Sequence, residues 1–125
     1  MNKIILIADD SPISRKILKQ CIGPEGYEIH EAADGAAAVE KFKSLRPSVT
    51  FMDLTMPVMD GMQALKEIKQ IDENAVVIVA TADVQVQTLF RVMNLGALTM
   101  IKKPLTKEAV QDALQKAQAA AKDPD

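Results

Sequence analysis

Val49-Thr50-Phe51-Met52-Asp53-Leu54-Thr55-Met56-Pro57-Val58-Met59-Asp60-Gly61 is the stretch that decides the fold. A short apolar run stops at an acid, Asp53. Pro57 and then the Asp60-Gly61 turn pair follow. Such a run suits a strand buried on both faces, the habit of parallel sheets, with Asp53 at its carboxyl end. A carboxylate delivered there from an apolar strand is a candidate acceptor for a phosphoryl group.

On the amino-terminal side lies a second apolar run, Lys3 to Ala8, closed by Asp9-Asp10. Ser11 is a good helix N-cap and Pro12 a good first helical residue. Ile13, Ile17, Leu18 and Cys21 then share one helical face, and Gly23-Pro24-Glu25-Gly26 stops the helix. Tyr27 to Ala32 reads as a shorter, more polar strand nearer a sheet edge. Asp34-Gly35 opens a second helix with Ala38, Phe42 and Leu45 inward, and Arg46-Pro47 ends it.

On the carboxyl-terminal side, Met62, Leu65, Ile68 and Ile71 mark a third helix, with a turn at Asp72-Glu73-Asn74. Ala75 to Ala80 is a fully apolar strand ending at Thr81. A fourth helix spans roughly Val84 to Leu95, stopped by Gly96. Leu98 to Ile101 is the fifth strand, ending at Lys102-Lys103-Pro104. Thr106 can cap a last helix lined by Val110, Ala113, Leu114 and Ala117, with fraying expected from Ala119 onward. Residues 1–120 are thus expected to form one domain, with 121–125 a frayed tail. Strict alternation predicts a doubly wound α/β fold, a five-stranded parallel sheet with five helices on its two faces. In such sheets ligands bind beyond the carboxyl ends of the strands, where the winding direction switches.

The bulk composition fits a single globular domain: 125 residues, 48% hydrophobic and 26% charged. A net charge of -2 gives no general electrostatic case for nucleic acid or an acidic membrane, and without Trp there is little to stack on bases. The apolar run at the amino terminus is too short for a signal peptide, and no stretch approaches the ~20 apolar residues of a membrane helix. The single cysteine, Cys21, precludes an internal disulfide, favours a cytoplasmic setting and reads as a small core residue. His30 has no ligand partners at metal spacing and reads as structural or exposed. The seven Met residues read as core and loop packing.

The strand ends deliver Asp9, Asp10, Asp53, Thr81 and Lys103 to one edge. Two carboxylates ~4 Å apart repel by about 4 kcal/mol at an effective dielectric of 20. With three, either a cation joins them or their pKa values rise, and among cations Mg²⁺ suits an oxygen site that also takes phosphate. Lys103 offers a point positive charge to a phosphoryl oxygen and Thr81 a hydrogen bond. Plainer roles exist for several of the polar residues: a helix N-terminal charge pair for Asp9-Asp10, a surface loop acid for Asp53, turn chemistry for Asp60-Gly61 and solvation for Lys102, which leaves Lys103 with the role.

Taken together, Asp9-Asp10, Asp53 with Met56-Pro57-Val58-Met59-Asp60-Gly61, Thr81-Ala82 and Lys103-Pro104 resemble the receiver domains of two-component response regulators, in particular the stand-alone, CheY-like kind. The resemblance covers essentially the whole chain. It implies the flavodoxin-like strand order 2-1-3-4-5. It implies Asp53 as phosphoacceptor and Mg²⁺ held by Asp10, Asp53 and the backbone carbonyl of Thr55, with Asp9 acting through water. Thr81, the backbone N–H of Ala82 and Lys103 would hold phosphoryl oxygens, and Lys103-Pro104 would be cis. The donor would be a phosphohistidine on a sensor histidine kinase or phosphotransfer protein. The protein would then be a switch with self-catalysed phosphorylation and dephosphorylation, not a turnover enzyme. Thr55 and Asp83 border the site at positions that tune dephosphorylation.

One departure concerns readout. The switch position on the fifth strand, usually Tyr or Phe in that family, is Met100. On the fourth helix, Val86, Leu89, Phe90 and Met93 form one stripe, with Val84, Val92 and Leu95 roughly opposite. The first stripe is expected inward. The second is either packed on a neighbouring helix or exposed as a docking face shared with the fifth strand and last helix. The length leaves no room for an output domain, so output is expected through a separate downstream protein, with chemotaxis as one pathway. A phosphorelay intermediate is the alternative within the family. Two rivals stand beside these: from another class, a small aspartyl-phosphate phosphatase of the haloacid dehalogenase type, and, second, a degenerate receiver serving only as a scaffold. The first wants an acid where Thr55 stands, and the second is at odds with the intact acids, Thr81 and Lys103.

Overall fold

A computed structural model of the protein describes residues 3–24 and 26–121. Five strands alternate with five helices: β1 (Lys3–Ala8), α1 (Pro12–Ile22), β2 (Tyr27–Ala32), α2 (Gly35–Leu45), β3 (Val49–Met52), α3 (Gly61–Ile71), β4 (Val77–Thr81), α4 (Val86–Asn94), β5 (Thr99–Lys102) and α5 (Lys107–Ala121). The strands form one parallel sheet in the order β2-β1-β3-β4-β5. The doubly wound architecture expected from the alternation is the one observed.

Period-two alternation splits each strand's side chains between two cores. One face carries Leu6, Met52, Val77 and Val79 against Ala38 and Phe42 of α2, Leu65 and Ile68 of α3 and Val92 of α4. The other carries Ile5, Ile7, Phe51 and Ile78 against Leu18 and Cys21 of α1 and Val110, Ala113, Leu114 and Ala117 of α5. With apolar side chains on both faces, β3 and β4 are buried throughout.

The helix starts follow local chemistry. Ser11, Asp34, Asp60 and Thr106 each accept a hydrogen bond from the backbone N–H three residues on, at 3.2, 2.7, 2.9 and 3.1 Å. Each such cap stabilises its helix by ~1 kcal/mol. Four N-caps therefore fix where the chain leaves the carboxyl edge of the sheet.

Two helix faces differ from expectation. On α1, Ile13 and Ile17 are exposed, and Leu18, Cys21 and Ile22 are buried instead. The helix is rolled toward α5, whose Gln111 amide donates to the carbonyls of Cys21 and Ile22 at 2.9 and 3.0 Å. On α4 the two stripes are exchanged. Val92 is fully buried with Thr88, and Leu95 packs half-buried on the same core, whereas Val86, Leu89, Phe90 and Met93 are exposed. A helix apolar on both sides is oriented by its anchors. Here the buried Thr88 hydroxyl is tied to Asp83 at 2.9 Å. Of the three residues expected on a docking face, only Val84 is exposed. Leu45 of α2 is also only half-buried, its place deeper in the core taken by Val39. α5 continues as helix through Ala121, past Ala119, the expected start of fraying, and of the expected tail at 121–125 residues 122–125 lie outside the described residues. Among the described residues, no helix is long and apolar enough to cross a membrane.

Candidate functional site

The winding direction switches at β1, which lies between β2 and β3. The crevice there is bounded by Asp9 and Asp10 beyond β1 and Asp53 beyond β3. Each of the three offers a carboxylate oxygen, and these oxygens all lie within 4.8 Å of one another. Asp9 and Asp53 are buried, whereas Asp10 is exposed at the mouth.

Lys103 reaches this cluster from the loop after β5. Its Nζ lies 2.7 Å from Asp9 Oδ2 and 3.4 Å from Asp53 Oδ2. Its backbone N–H donates to the Thr81 carbonyl at 2.9 Å, so β4 sets the root of the side chain. The following Lys103–Pro104 peptide bond is cis. Burial works to lower the pKa of the ammonium. The hydrogen bond to Asp9 and the charges of Asp53 and Asp9 outweigh it and raise the pKa above the ordinary lysine value. Burial pushes the Asp53 carboxyl the other way, above the usual carboxylate range. Lys103 opposes that rise and Asp9 adds to it.

Each oxygen of Asp53 has a different neighbour. Oδ1 accepts from the Leu54 N–H at 2.8 Å, and Oδ2 faces Lys103. Asp9 is held still more firmly: Oδ1 accepts from the Ser11 N–H at 2.9 Å and Oδ2 from Lys103. The carboxylates outnumber the single ammonium, so the crevice keeps an excess of negative charge. Three hard oxygen donors so close together fit Mg²⁺ in donor type and charge. Thr55 is exposed two residues past Asp53, and Ala82 is exposed beyond β4.

Thr81 ends β4 buried, and its Oγ1 accepts from the Asp83 N–H at 3.2 Å. The Asp83 carboxylate in turn accepts from Gln85 N–H and the Thr88 hydroxyl. This chain of bonds runs from the site into α4. Met100 is half-buried on β5 opposite Val79 and packs on the same core as Val92.

Three contributors to the site carry no periodic signal in the sequence. Gly61 packs so tightly that a Cβ there would stand 1.9 Å from the Asp53 carbonyl oxygen. Gly35 packs likewise on the loop after β3, where a Cβ would stand 2.0 Å from the Met59 carbonyl oxygen. Arg15 Nη1 donates to the Asp9 carbonyl at 2.6 Å. For the glycines the only sequence cue was turn chemistry. For Arg15 there was none. A groove of about 790 Å³ lined by Lys69, Glu73 and Ala97 opens before β4 and β5, at the opposite end of the sheet from these groups.

A parallel sheet that gathers three acids and a lysine beyond its strand ends, with a buried Thr ending the neighbouring strand, is the arrangement of a response-regulator type of receiver. The chain belongs to that family: residues 5–115 match the response regulator receiver domain. It is 44% identical over 117 residues to the chemotaxis protein CheY of Thermotoga maritima, covering 93% of this chain and 98% of that one. It is 38% identical over 116 residues to the sporulation initiation phosphotransferase F of Bacillus subtilis, covering 93% and 94%. Among solved structures it resembles a chain of the CheX-CheY-BeF3-Mg²⁺ complex from Borrelia burgdorferi, with a TM-score of 0.88 and 36% identity over 93% of this chain and 89% of that one.

Proposed function

We propose that the protein is a phosphorylation switch in which Asp53 accepts a phosphoryl group from a phosphohistidine of a sensor histidine kinase or phosphotransfer protein. The observation that carries this reading is the buried Asp53 carboxylate, with Lys103 at 3.4 Å and two further acids within 4.8 Å. In the transfer, the nitrogen–phosphorus bond of the donor breaks. The imidazole nitrogen keeps the electron pair and takes a proton. An Asp53 oxygen bonds the phosphorus. Asp53 Oδ2 is the oxygen on the Lys103 side, and Lys103 there stabilises charge on an equatorial phosphoryl oxygen. The Thr81 hydroxyl accepts from the Asp83 N–H and still has its own proton to donate to a second phosphoryl oxygen. The Ala82 N–H is assigned to the same oxygen set. Asp10 and Asp53, with the Thr55 carbonyl, would hold Mg²⁺ directly and Asp9 would act through water, and the ion when bound would neutralise charge between the carboxylates and the phosphoryl group.

Phosphorylation adds about -1.5 to -2 charge at Asp53. Drawing Thr81 toward it loosens the bond to Asp83, and Asp83 is tied to Thr88 of α4. Output is assigned to the α4-β5-α5 face through Leu89, Phe90 and Met93, all exposed. Similarity to chemotaxis proteins favours a pathway of that kind, and the single cysteine favours a cytoplasmic setting. Similarity to a sporulation phosphotransferase favours, as a second reading, onward transfer to a histidine on another protein. The test is incubation with Mg²⁺ and acetyl phosphate, read by intact mass. Wild type should gain one phosphoryl group and Asp53→Asn none. Equal modification of both, or of neither, overturns the assignment.

A further inference from the structure

We propose that Arg15 is a positioning residue for the acid pair, fixing the Asp9–Asp10 peptide so that Asp10 faces the metal site. This rests on the reading of Asp10 and Asp53 as direct Mg²⁺ ligands, with Asp9 acting through water. The side chains of the three acids are held very differently. Asp9 accepts from Ser11 N–H and Lys103, and Asp53 from Leu54 N–H and Lys103. Among the described residues the exposed Asp10 carboxylate takes no hydrogen bond of its own. Its direction therefore depends on the backbone that carries it.

That backbone is braced from one side. The Asp9 N–H donates to the Ala32 carbonyl at 3.0 Å, the continuation of the β1–β2 ladder. The Asp9 carbonyl belongs to the peptide that leads into Asp10, and it accepts from Arg15 Nη1 at 2.6 Å. Rotating this peptide would swing Asp10, and the guanidinium prevents it. Arg15 is itself fixed by Glu31 on β2, whose carboxylate takes Nε at 2.6 Å. Lys19 holds the other Glu31 oxygen at 2.8 Å, and the Lys41 ammonium bonds the Glu31 carbonyl. The Arg15 side chain is only 17% exposed, so the bonds are sheltered from water.

The choice of side chains follows. A planar guanidinium can serve a carbonyl and a carboxylate at once in fixed geometry, which an ammonium on a flexible stem does less well. The Glu31 partner also matters for specificity. A cation one turn from three carboxylates would otherwise be drawn among them and compete with Mg²⁺. Glu31 keeps the charge of Arg15 occupied outside the crevice while its second nitrogen holds the peptide.

The test is Mg²⁺ titration of the unphosphorylated protein by calorimetry, with urea unfolding followed by circular dichroism as a parallel measure of stability. Arg15→Met should weaken Mg²⁺ binding by about 10-fold or more, the usual scale for losing a residue that orients a ligand. Arg15→Lys should recover part of the loss. Glu31→Ala, which removes the acceptor for Arg15 Nε, should also weaken binding, whereas Lys16→Met, a charge change at an exposed position of the same helix, should match wild type. Glu31→Ala decides the matter if Arg15→Met does not fold. Mg²⁺ affinity within twofold of wild type in folded Arg15→Met or in Glu31→Ala overturns the proposal, whatever happens to stability. Absence of Mg²⁺ binding in wild type overturns the assignment of the metal site itself, and this inference with it.

Discussion

Lys103 bonds Asp9 more closely than it bonds Asp53, at 2.7 Å against 3.4 Å. The ammonium therefore serves the buried acid pair before any phosphoryl group arrives. Lys103→Met leaves Asp9 and Asp53 facing each other without it. Breaking a buried pair in this way costs roughly 3 kcal/mol. The expected result is a lower urea midpoint at pH 8, followed by far-ultraviolet circular dichroism because the chain has no Trp. The deficit should shrink toward acid pH, where the unpaired Asp53, its pKa already raised by burial, can protonate, and should shrink with saturating Mg²⁺. A deficit that stays constant across pH and Mg²⁺ would mean the lysine acts only through packing.

Asp53 gives the opposite sign. Burial raises its folded-state pKa above the unfolded value, more than Lys103 lowers it. Ionised Asp53 thus costs stability at neutral pH. That cost is relieved as pH falls through the raised folded pKa, where the native state binds the proton first. Asp53→Asn removes the charge and keeps the shape. Without Mg²⁺ it should be more stable than wild type at pH 7, and the two should converge on acidification. An Asn variant less stable at pH 7 would show that attraction to Lys103 outweighs burial.

Gly61 is where the loop after β3 closes on the site, with room for no Cβ beside the Asp53 carbonyl. Gly61→Ala should cost about 1–3 kcal/mol, as overpacking does, and should slow phosphorylation because the Asp53 backbone is what must move. Gly23 is the useful contrast. It lies in open space at φ +89°, so Gly23→Ala meets only backbone strain of ~1 kcal/mol and should leave phosphorylation unchanged. Equal phosphorylation rates in Gly61→Ala and wild type would mean that the close approach plays no part in placing Asp53.

The strand ends were legible because a buried apolar run rarely stops at an acid, a Thr or a Lys unless that polar group is used at the sheet edge. Asp9, Asp53, Thr81 and Lys103 were readable for that reason, as were the caps at Ser11 and Thr106. What could not be read is what depends on a partner distant in sequence. Arg15 meets Asp9 and Glu31 only after β2 has folded beside β1. The roll of α1 depends on Gln111 in α5. α4 was misread for a different reason. Its sequence has an apolar stripe on each side, and greater apolar content did not decide which one faces the sheet.

That exchange on α4 changes how the output face is tested. Val92 is fully buried, and burying a Val side chain contributes about 1.5–3 kcal/mol. A charge at Val92 would therefore report unfolding, not docking. Phe90, at 64% exposure, is the proper probe. Phe90→Ser should change stability by no more than about 0.5 kcal/mol and leave acetyl phosphate labelling at the wild-type rate. It should weaken capture of whichever protein is retained by beryllofluoride-loaded wild type and not by Asp53→Asn. Val92→Ala should do the reverse, lowering the urea midpoint while leaving capture by the folded fraction near wild type. If Phe90→Ser captures that protein as well as wild type does, the exposed stripe of α4 is not the output surface, and the bond chain from Thr81 through Asp83 to Thr88 ends in a helix that carries no signal.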